Sequence, residues 1–171
     1  KIIPSREDNT FDIEAYKKLL TEGKVKLVSL GFTSNLDGVT IPAKEIIKLA
    51  HQYESLVLLD AAQTAPHQQI DVRGLDVDFL AFSGHKMLGP SGIGVLYGKY
   101  ALLEKLSPFL VGGDTVSSST YETHEFLPPP EKFEAGLQDY AGIIGLGAAV
   151  KYLEKIGFQE IEEQEQKLNT Y

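Results

Sequence analysis

Leu56-Val57-Leu58-Leu59-Asp60 and Phe79-Leu80-Ala81-Phe82-Ser83 are short, unbroken apolar runs, and each ends on a polar residue. A third run, Ile93-Gly94-Val95-Leu96-Tyr97, follows a loop rich in Gly and Pro. Continuous apolar runs of this length are too short for helices and lack the alternation of a half-exposed strand. They fit strands buried on both faces of a sheet, largely parallel. Upstream, Val25-Lys26-Leu27-Val28-Ser29-Leu30 reads as another strand, β-branched and apolar. Helical patterns lie between and after these runs. The fold class is therefore α/β: a mostly parallel sheet with flanking helices.

Working outward, Thr10-Phe11-Asp12-Ile13-Glu14-Ala15-Tyr16 opens a helix, with Thr10 as the expected N-cap and two acids in the first turn. Gly23 is its expected stop. Pro42 starts a second helix whose inner face is Ile46, Ile47, Leu49 and Ala50. From Ser117 to Pro130 the sequence reads as a long loop, mobile or ordered by a partner. Tyr140–Ile156 returns to helical periodicity, and Gly145 and Gly147 within it imply close packing on another element. Gly157 breaks the pattern, and a Glu-, Gln- and Lys-rich helix runs from Phe158 to Tyr171. That helix has no stop signal, which leads to the expectation that the chain continues a longer protein. The acidic run Glu160, Glu162, Glu163 and Glu165 reads as a solvated helix face.

The 171 residues are 43% hydrophobic, enough for one domain with a real core. A net charge of −8 argues against a nucleic-acid surface, which needs clustered Lys and Arg. No apolar stretch approaches a membrane span, and Lys1-Ile2-Ile3-Pro4 lacks a signal-peptide design, so a cytoplasmic protein is expected. The cysteine count is zero, which removes disulfides, thiolate metal sites and a cysteine nucleophile from these residues.

In open α/β sheets ligands bind beyond the carboxyl ends of the strands. Asn35 lies beyond the first strand, Asp60 and Gln63 after the second, and Ser83, His85 and Lys86 after the third. Each alone has an ordinary role: turn former, surface lysine, structural donor. Together they place an acid, an amide, a hydroxyl, an imidazole and an amine on one rim, as a small-molecule site requires. Pyridoxal phosphate uses such a set: a lysine for the Schiff base, an acid against the pyridine nitrogen, and donors for the phosphate. The glycines of Gly84-His85-Lys86-Met87-Leu88-Gly89-Pro90 let the backbone approach a cofactor closely. A metal hydrolase built on Asp60, His67 and His85 has neither ligand spacing nor a carboxylate cluster to support it.

The stretch Phe82-Ser83-Gly84-His85-Lys86-Met87-Leu88-Gly89-Pro90-Ser91-Gly92-Ile93-Gly94-Val95-Leu96-Tyr97 resembles the lysine signature of the cysteine desulfurases, within the class V aminotransferases. Leu59-Asp60-Ala61-Ala62-Gln63-Thr64-Ala65-Pro66-His67 resembles the family's Asp-x-Ala-Gln segment, and Thr33-Ser34-Asn35-Leu36-Asp37-Gly38 its Ser-Asn-x-x-Gly segment. Phe133-Glu134-Ala135-Gly136 followed by Ile143-Ile144-Gly145-Leu146 resembles a fourth motif, especially of the SufS-like group. The four motifs occur in order across nearly the whole chain.

The resemblance implies that residues 1–171 are part of the large, cofactor-binding domain of a fold-type I pyridoxal-phosphate enzyme. The N-terminal part of that domain and the C-terminal small domain are expected to be absent. It implies Lys86 as Schiff-base lysine and proton-transfer base, Asp60 against the pyridine nitrogen, and Gln63 on the phenolic oxygen. Ser83 and His85 would contact the phosphate, and Asn35 the phenolic oxygen and substrate carboxylate. The implied partners are L-cysteine, a sulfur-accepting or iron–sulfur scaffold protein, and a second subunit in a homodimer. His51, His67 and His124 receive no role.

The chain also departs from the family. The persulfide-forming cysteine, the arginine for the substrate carboxylate, the ring-stacking histidine and the Gly-Thr phosphate loop lie outside it. After Phe133-Glu134-Ala135-Gly136 the family usually has Thr, whose hydroxyl reaches the phosphate of the other subunit; here Leu137 stands. The chain alone is therefore expected to be inactive and to hold pyridoxal phosphate weakly or not at all. Selenocysteine lyase, another class V enzyme and a non-catalytic partner-binding form are the competing readings.

Overall fold

The computed structural model describes residues 1–171. Its main sheet has four strands in the order β1-β2-β3-β4. They are β1 (Leu27–Gly31), β2 (Leu56–Asp60), β3 (Phe79–Ser83) and β4 (Gly94–Gly98). The first three pair in parallel, Leu27 against Leu56 and Leu58 against Phe79. β4 returns antiparallel, with Phe79 opposite Gly98 and Ser83 opposite Gly94. The expected mostly parallel α/β sheet is present, with one antiparallel edge that the apolar run at Ile93–Tyr97 did not reveal. The tight loop after β3 explains it, because a short connection between neighbouring strands reverses direction whereas a parallel return needs a long crossover.

Three helices flank the parallel strands: α1 (Ile13–Thr21), α2 (Ala43–Gln52) and the short α3 (Val72–Leu75). Asp12, not Thr10, caps α1, its carboxylate accepting from Ala15 N at 3.0 Å. Thr10 instead donates its hydroxyl to Asp8 in the turn before. Tyr16 and Leu20 of α1 and Ile46, Ile47 and Ala50 of α2 pack on Val28, Val57, Leu59 and Leu80, one row of the sheet pleat. Leu49, expected on that inner face, packs at its margin. Tyr16 is buried with its hydroxyl donating to Ile46 O at 3.2 Å, and burial pushes its pKa up to about 12.

The opposite pleat row is only partly covered, so the sheet is not buried on both faces. Leu27 and Leu96 are 51% and 58% exposed on it. Only α4 (Tyr100–Lys105) covers part of that face, bringing Leu103 near Gly98 and Phe79. The register places Asp60 and Ser83 on this open row, because Asp60 sits opposite Ala81 and Ser83 lies two residues on.

Residues expected to form a loop at 117–130 instead include a small hairpin, β5 (Val116–Ser119) and β6 (His124–Phe126). Its polar Ser and Thr residues carry no apolar alternation, which hid the strands from pattern reading. α5 (Tyr140–Ile156) and α6 (Phe158–Asn169) follow, divided at Gly157 as expected. Gly145 does pack closely, since a Cβ there would meet Pro90 Cγ at 2.6 Å. Gly147 does not, having nothing within 4 Å.

The amino end of β3 is held by charge. Asp78, 3% exposed, accepts from Val57 N at 2.8 Å, from Lys99 Nζ at 2.9 Å, and pairs with His51 Nε2 at 2.8 Å. This gives His51 a structural role, tying the end of α2 to the sheet. Burial pushes the Asp78 carboxyl upward, but Lys99, His51 and the Val57 amide outweigh it and hold the pKa below 3.8. A folded-state pKa below the unfolded one contributes stability that is complete above pH 3.8 and is lost as pH falls through the lower value. Asp78→Asn is expected to cost about 1.5–3 kcal/mol at pH 7. The difference from the unaltered protein, measured by urea unfolding, should shrink steadily below pH 4 or so. A constant difference across that range would remove Asp78 ionisation from the account.

Candidate functional site

Parallel register sets the carboxyl ends of the strands side by side, Gly31 against Asp60 and Asp60 against Ala81. The chain beyond each end is then shaped by local bonds. After β1, Ser34 N donates to Val39 O and Gly38 N to Ser34 O, closing a turn that needs the positive φ of Gly38, 72°. Asn35 is exposed at the tip of that turn. After β2, Asp60 Oδ1 accepts from Ala62 N at 2.9 Å and begins a helical turn that carries Gln63. Thr33 and Thr64 hydroxyls meet at 2.8 Å, binding the two strand extensions together.

After β3, Gly84–Met87 makes one 3₁₀ turn, and Gly89 N closes it by donating to Gly84 O at 2.9 Å. The turn has no room for side chains at its glycines. A Cβ on Gly84 would meet Ile93 Cγ2 at 2.6 Å, and one on Gly89 the Gly84 carbonyl oxygen at 2.8 Å. Met87 is driven inward onto Leu146 and Leu153 of α5. His85 and Lys86, on either side of that inward direction, are exposed. Leu88 ends the turn in the left-handed region with φ 64°, a conformation that costs a non-glycine residue roughly 1–2 kcal/mol.

The polar groups on this turn are uncommitted. Ser83 occupies the cap position yet makes no capping bond. The chain's ammonium ion pairs form at Lys1, Lys17, Lys18 and Lys99, and Lys86 enters none. Asn35 and Gln63 line a cleft of about 510 Å³ together with Thr33, His67, Glu162 and Glu165. Asp60, Ser83, His85 and Lys86 are not among its lining residues. The rim therefore has two parts: the lysine turn with the open sheet row, and the cleft beside it. A largely apolar hollow of about 610 Å³ along the β1 edge, lined by Ile2, Ile3 and Leu19, carries none of the expected site residues.

His67 pairs with Glu165 of α6, Nδ1 to Oε1 at 2.5 Å. Sequence reading missed this contact, and no local signal could have found it, because the partners are 98 positions apart. It also corrects the view of the acidic run as solvent-facing throughout. His124 packs edge-on against Phe126 in the hairpin. Leu137, at the usual Thr position, is 88% exposed beside Gly136 with its positive φ of 76°.

The model of the aminotransferase class-V family matches residues 1–171. The chain belongs to this family. A probable cysteine desulfurase of Halalkalibacterium halodurans is 47% identical over 99% of the chain and 41% of its own length. Among solved structures, the apo cysteine desulfurase of Thermococcus onnurineus NA1 superposes with a TM-score of 0.93 at 37% identity, over 99% of this chain and 42% of its own. The Escherichia coli cysteine desulfurase CsdA gives 0.85 at 39% identity, over 92% and 39%. The chain thus spans about two fifths of the length of these relatives.

The class V family implies pyridoxal phosphate, and the donor set fits it: an uncommitted lysine, a hydroxyl and an imidazole on one glycine-bounded turn, and a carboxylate at the neighbouring strand end. The tightness of this turn can be tested in the class V chain directly. Gly89→Ala should lower stability by about 1–3 kcal/mol, because its Cβ meets a backbone oxygen that cannot move aside. Gly147→Ala, on an open helix face, should raise it by about 0.5–1 kcal/mol. Equal thermal midpoints for the two variants would refute the packing argument.

Proposed function

We propose that residues 1–171 form part of the large, cofactor-binding domain of a cysteine desulfurase that removes sulfur from L-cysteine and leaves L-alanine. The observation that carries this reading is Lys86, an exposed and unpaired amine on a turn fixed by Gly84 and Gly89 at the carboxyl end of β3. Relatives at this level of identity bear the name cysteine desulfurase, which supports the same assignment. Pyridoxal phosphate, when bound, supplies an electron sink for negative charge at the substrate Cα.

The chain's own residues do the rest. Lys86 Nζ anchors the cofactor covalently and moves the proton at the substrate Cα. The Asp60 carboxylate keeps the pyridine nitrogen protonated, and Gln63 hydrogen-bonds the phenolic oxygen. Ser83 and His85 hold the phosphate. Asn35 would bind the phenolic oxygen and the substrate carboxylate. The substrate sulfur needs a thiolate acceptor, and these residues include no cysteine. That thiolate belongs to another part of the parent protein or to a partner.

The fourth motif, from Phe133 to Leu146, favours the SufS-like group, with a scaffold protein for iron–sulfur assembly as sulfur acceptor in the cytoplasm. No helix is long and apolar enough to cross a membrane. A homodimer is supported by exposed apolar residues at Leu88, which ends the lysine turn, at Leu137 shortly before α5, and at Tyr140 and Ile144 on α5. Leu137 favours a second reading, a non-catalytic partner-binding form, because leucine cannot donate to a phosphate.

Borohydride trapping after addition of pyridoxal phosphate, followed by peptide mapping, tests the site. Lys86 is expected to carry the label, with loss of the visible absorbance band. Asp60→Asn should weaken cofactor binding by about 10- to 100-fold, the worth of one charge-assisted hydrogen bond. Label spread evenly over surface lysines would sink the assignment. The 171-residue chain itself, given cysteine and cofactor, is expected to release no sulfide or alanine above the free-cofactor background. Steady release would show that turnover does not require a protein thiolate.

A further inference from the structure

His67 follows Gln63 by four residues on the helical stretch that leaves β2, a spacing that puts both side chains on one face. Ala65 N donates to Ala61 O at 2.8 Å and Gln68 N to Thr64 O at 2.9 Å, which fixes the stretch. Ala61, Thr64 and Ala65 turn inward and are buried, so Gln63 and His67 face the cleft that also holds Asn35. The far wall of that cleft is α6, through Glu162, Glu165 and Gln166. The His67–Glu165 contact is the side-chain hydrogen bond that ties this wall to the sheet; the others on α6, from Gln159 and Thr170, stay within the helix.

α6 depends on such a tie. None of its residues is buried, and only Phe158 and Ile161, near its start, pack on the Met87–Leu146–Leu153 cluster. It leaves α5 through Gly157, whose φ of 94° interrupts the helix, so α5 does not dictate its direction. Beyond Ile161 the residues are Glu, Gln, Lys and Asn, apart from an exposed Leu168.

We infer that His67 is a positioning residue: through Glu165 it holds α6 as the outer wall of the cleft and so limits the access of water to the half-buried Gln63. The inference rests on the proposed reading of the site. A hydrogen bond from this amide to a cofactor is stronger where water is limited. With the wall released, the same amide meets bulk water and binds less tightly. The His67 and Glu165 side chains are 46% and 43% exposed, so the effect of the pair is modest.

The test is a titration of pyridoxal phosphate by visible absorbance in the protein, His67→Ala, Glu165→Gln and the double variant. Each single change is expected to weaken binding about two- to fivefold. The double variant should lose no more than either single one, because each breaks the same contact. Leu168→Trp adds the only tryptophan of the chain, on α6 at the cleft. Its fluorescence anisotropy should fall when His67→Ala is combined with it, because a released helix moves more freely. Unchanged affinity in all variants, additive losses in the double variant or an unmoved anisotropy overturns the inference. Failure of Lys86 to take the borohydride label in the unaltered protein overturns the site reading instead, and the tryptophan anisotropy then still decides whether the pair holds α6.

Discussion

Parallel pairing of β1, β2 and β3 is the constraint on which the site depends. The ladder sets Gly31, Asp60 and Ala81 in one line, and hydrogen bonds from Phe32 N to Asp60 O and from Ala61 N to Ala81 O continue it to the edge. Each extension therefore starts from a fixed point. A slip of one residue in β2 or β3 would turn Asp60 or Ser83 from the open pleat row into the packed one. The buried row of Val28, Val57, Leu59 and Leu80 prevents such a slip, because it would expose those side chains on the helix side of the sheet. The apolar core thus sets the aim of the polar rim.

Close packing then does for the lysine turn what register does for the strand ends. Gly84 and Gly89 admit no side chain, Pro90 lies against Gly145, and Met87 is anchored among Leu146 and Leu153. With Met87 held inward, its neighbour Lys86 must face out. A flexible loop would place the amine anywhere within reach of a long side chain. A turn without free volume removes the backbone part of that freedom, which is the preorganisation a covalent anchor requires.

Much of this was legible in the sequence because it is local. Apolar runs ending on Asp60 and Ser83 marked the parallel strands, and Gly157 marked the break between α5 and α6. The lysine turn was visible in its glycines. What was not legible depends on distance or on polar strands. The direction of β4 follows from a short return connection, and the hairpin at Val116–Phe126 has no apolar period. The cap of α1 fell to Asp12 because Thr10 is engaged with Asp8. The His67–Glu165 pair joins opposite ends of the chain, and neither residue carries a local mark of it. For the site, sequence placed the six residues on one rim, but not the division between the lysine turn and the α6 cleft.

The two ends of β3 show what distinguishes a structural cluster of charges from a candidate site. At the amino end Asp78 is surrounded by donors: the Val57 amide, Lys99 and His51. A buried carboxylate must be satisfied in this way, since its desolvation otherwise opposes folding. Nothing further can bind there without displacing a partner. At the carboxyl end, five residues beyond Asp78, the half-buried Ser83 begins a turn whose imidazole and amine are exposed and whose hydroxyl makes no capping bond. The same strand thus carries polar groups that finish the fold at one end and leave it open at the other. The open end coincides with the unfilled pleat row, where Asp60 already projects. A group that is both anionic and able to react with an amine would meet complementary chemistry only at that end, which is why the lysine turn and not the charge network is the place to look for function.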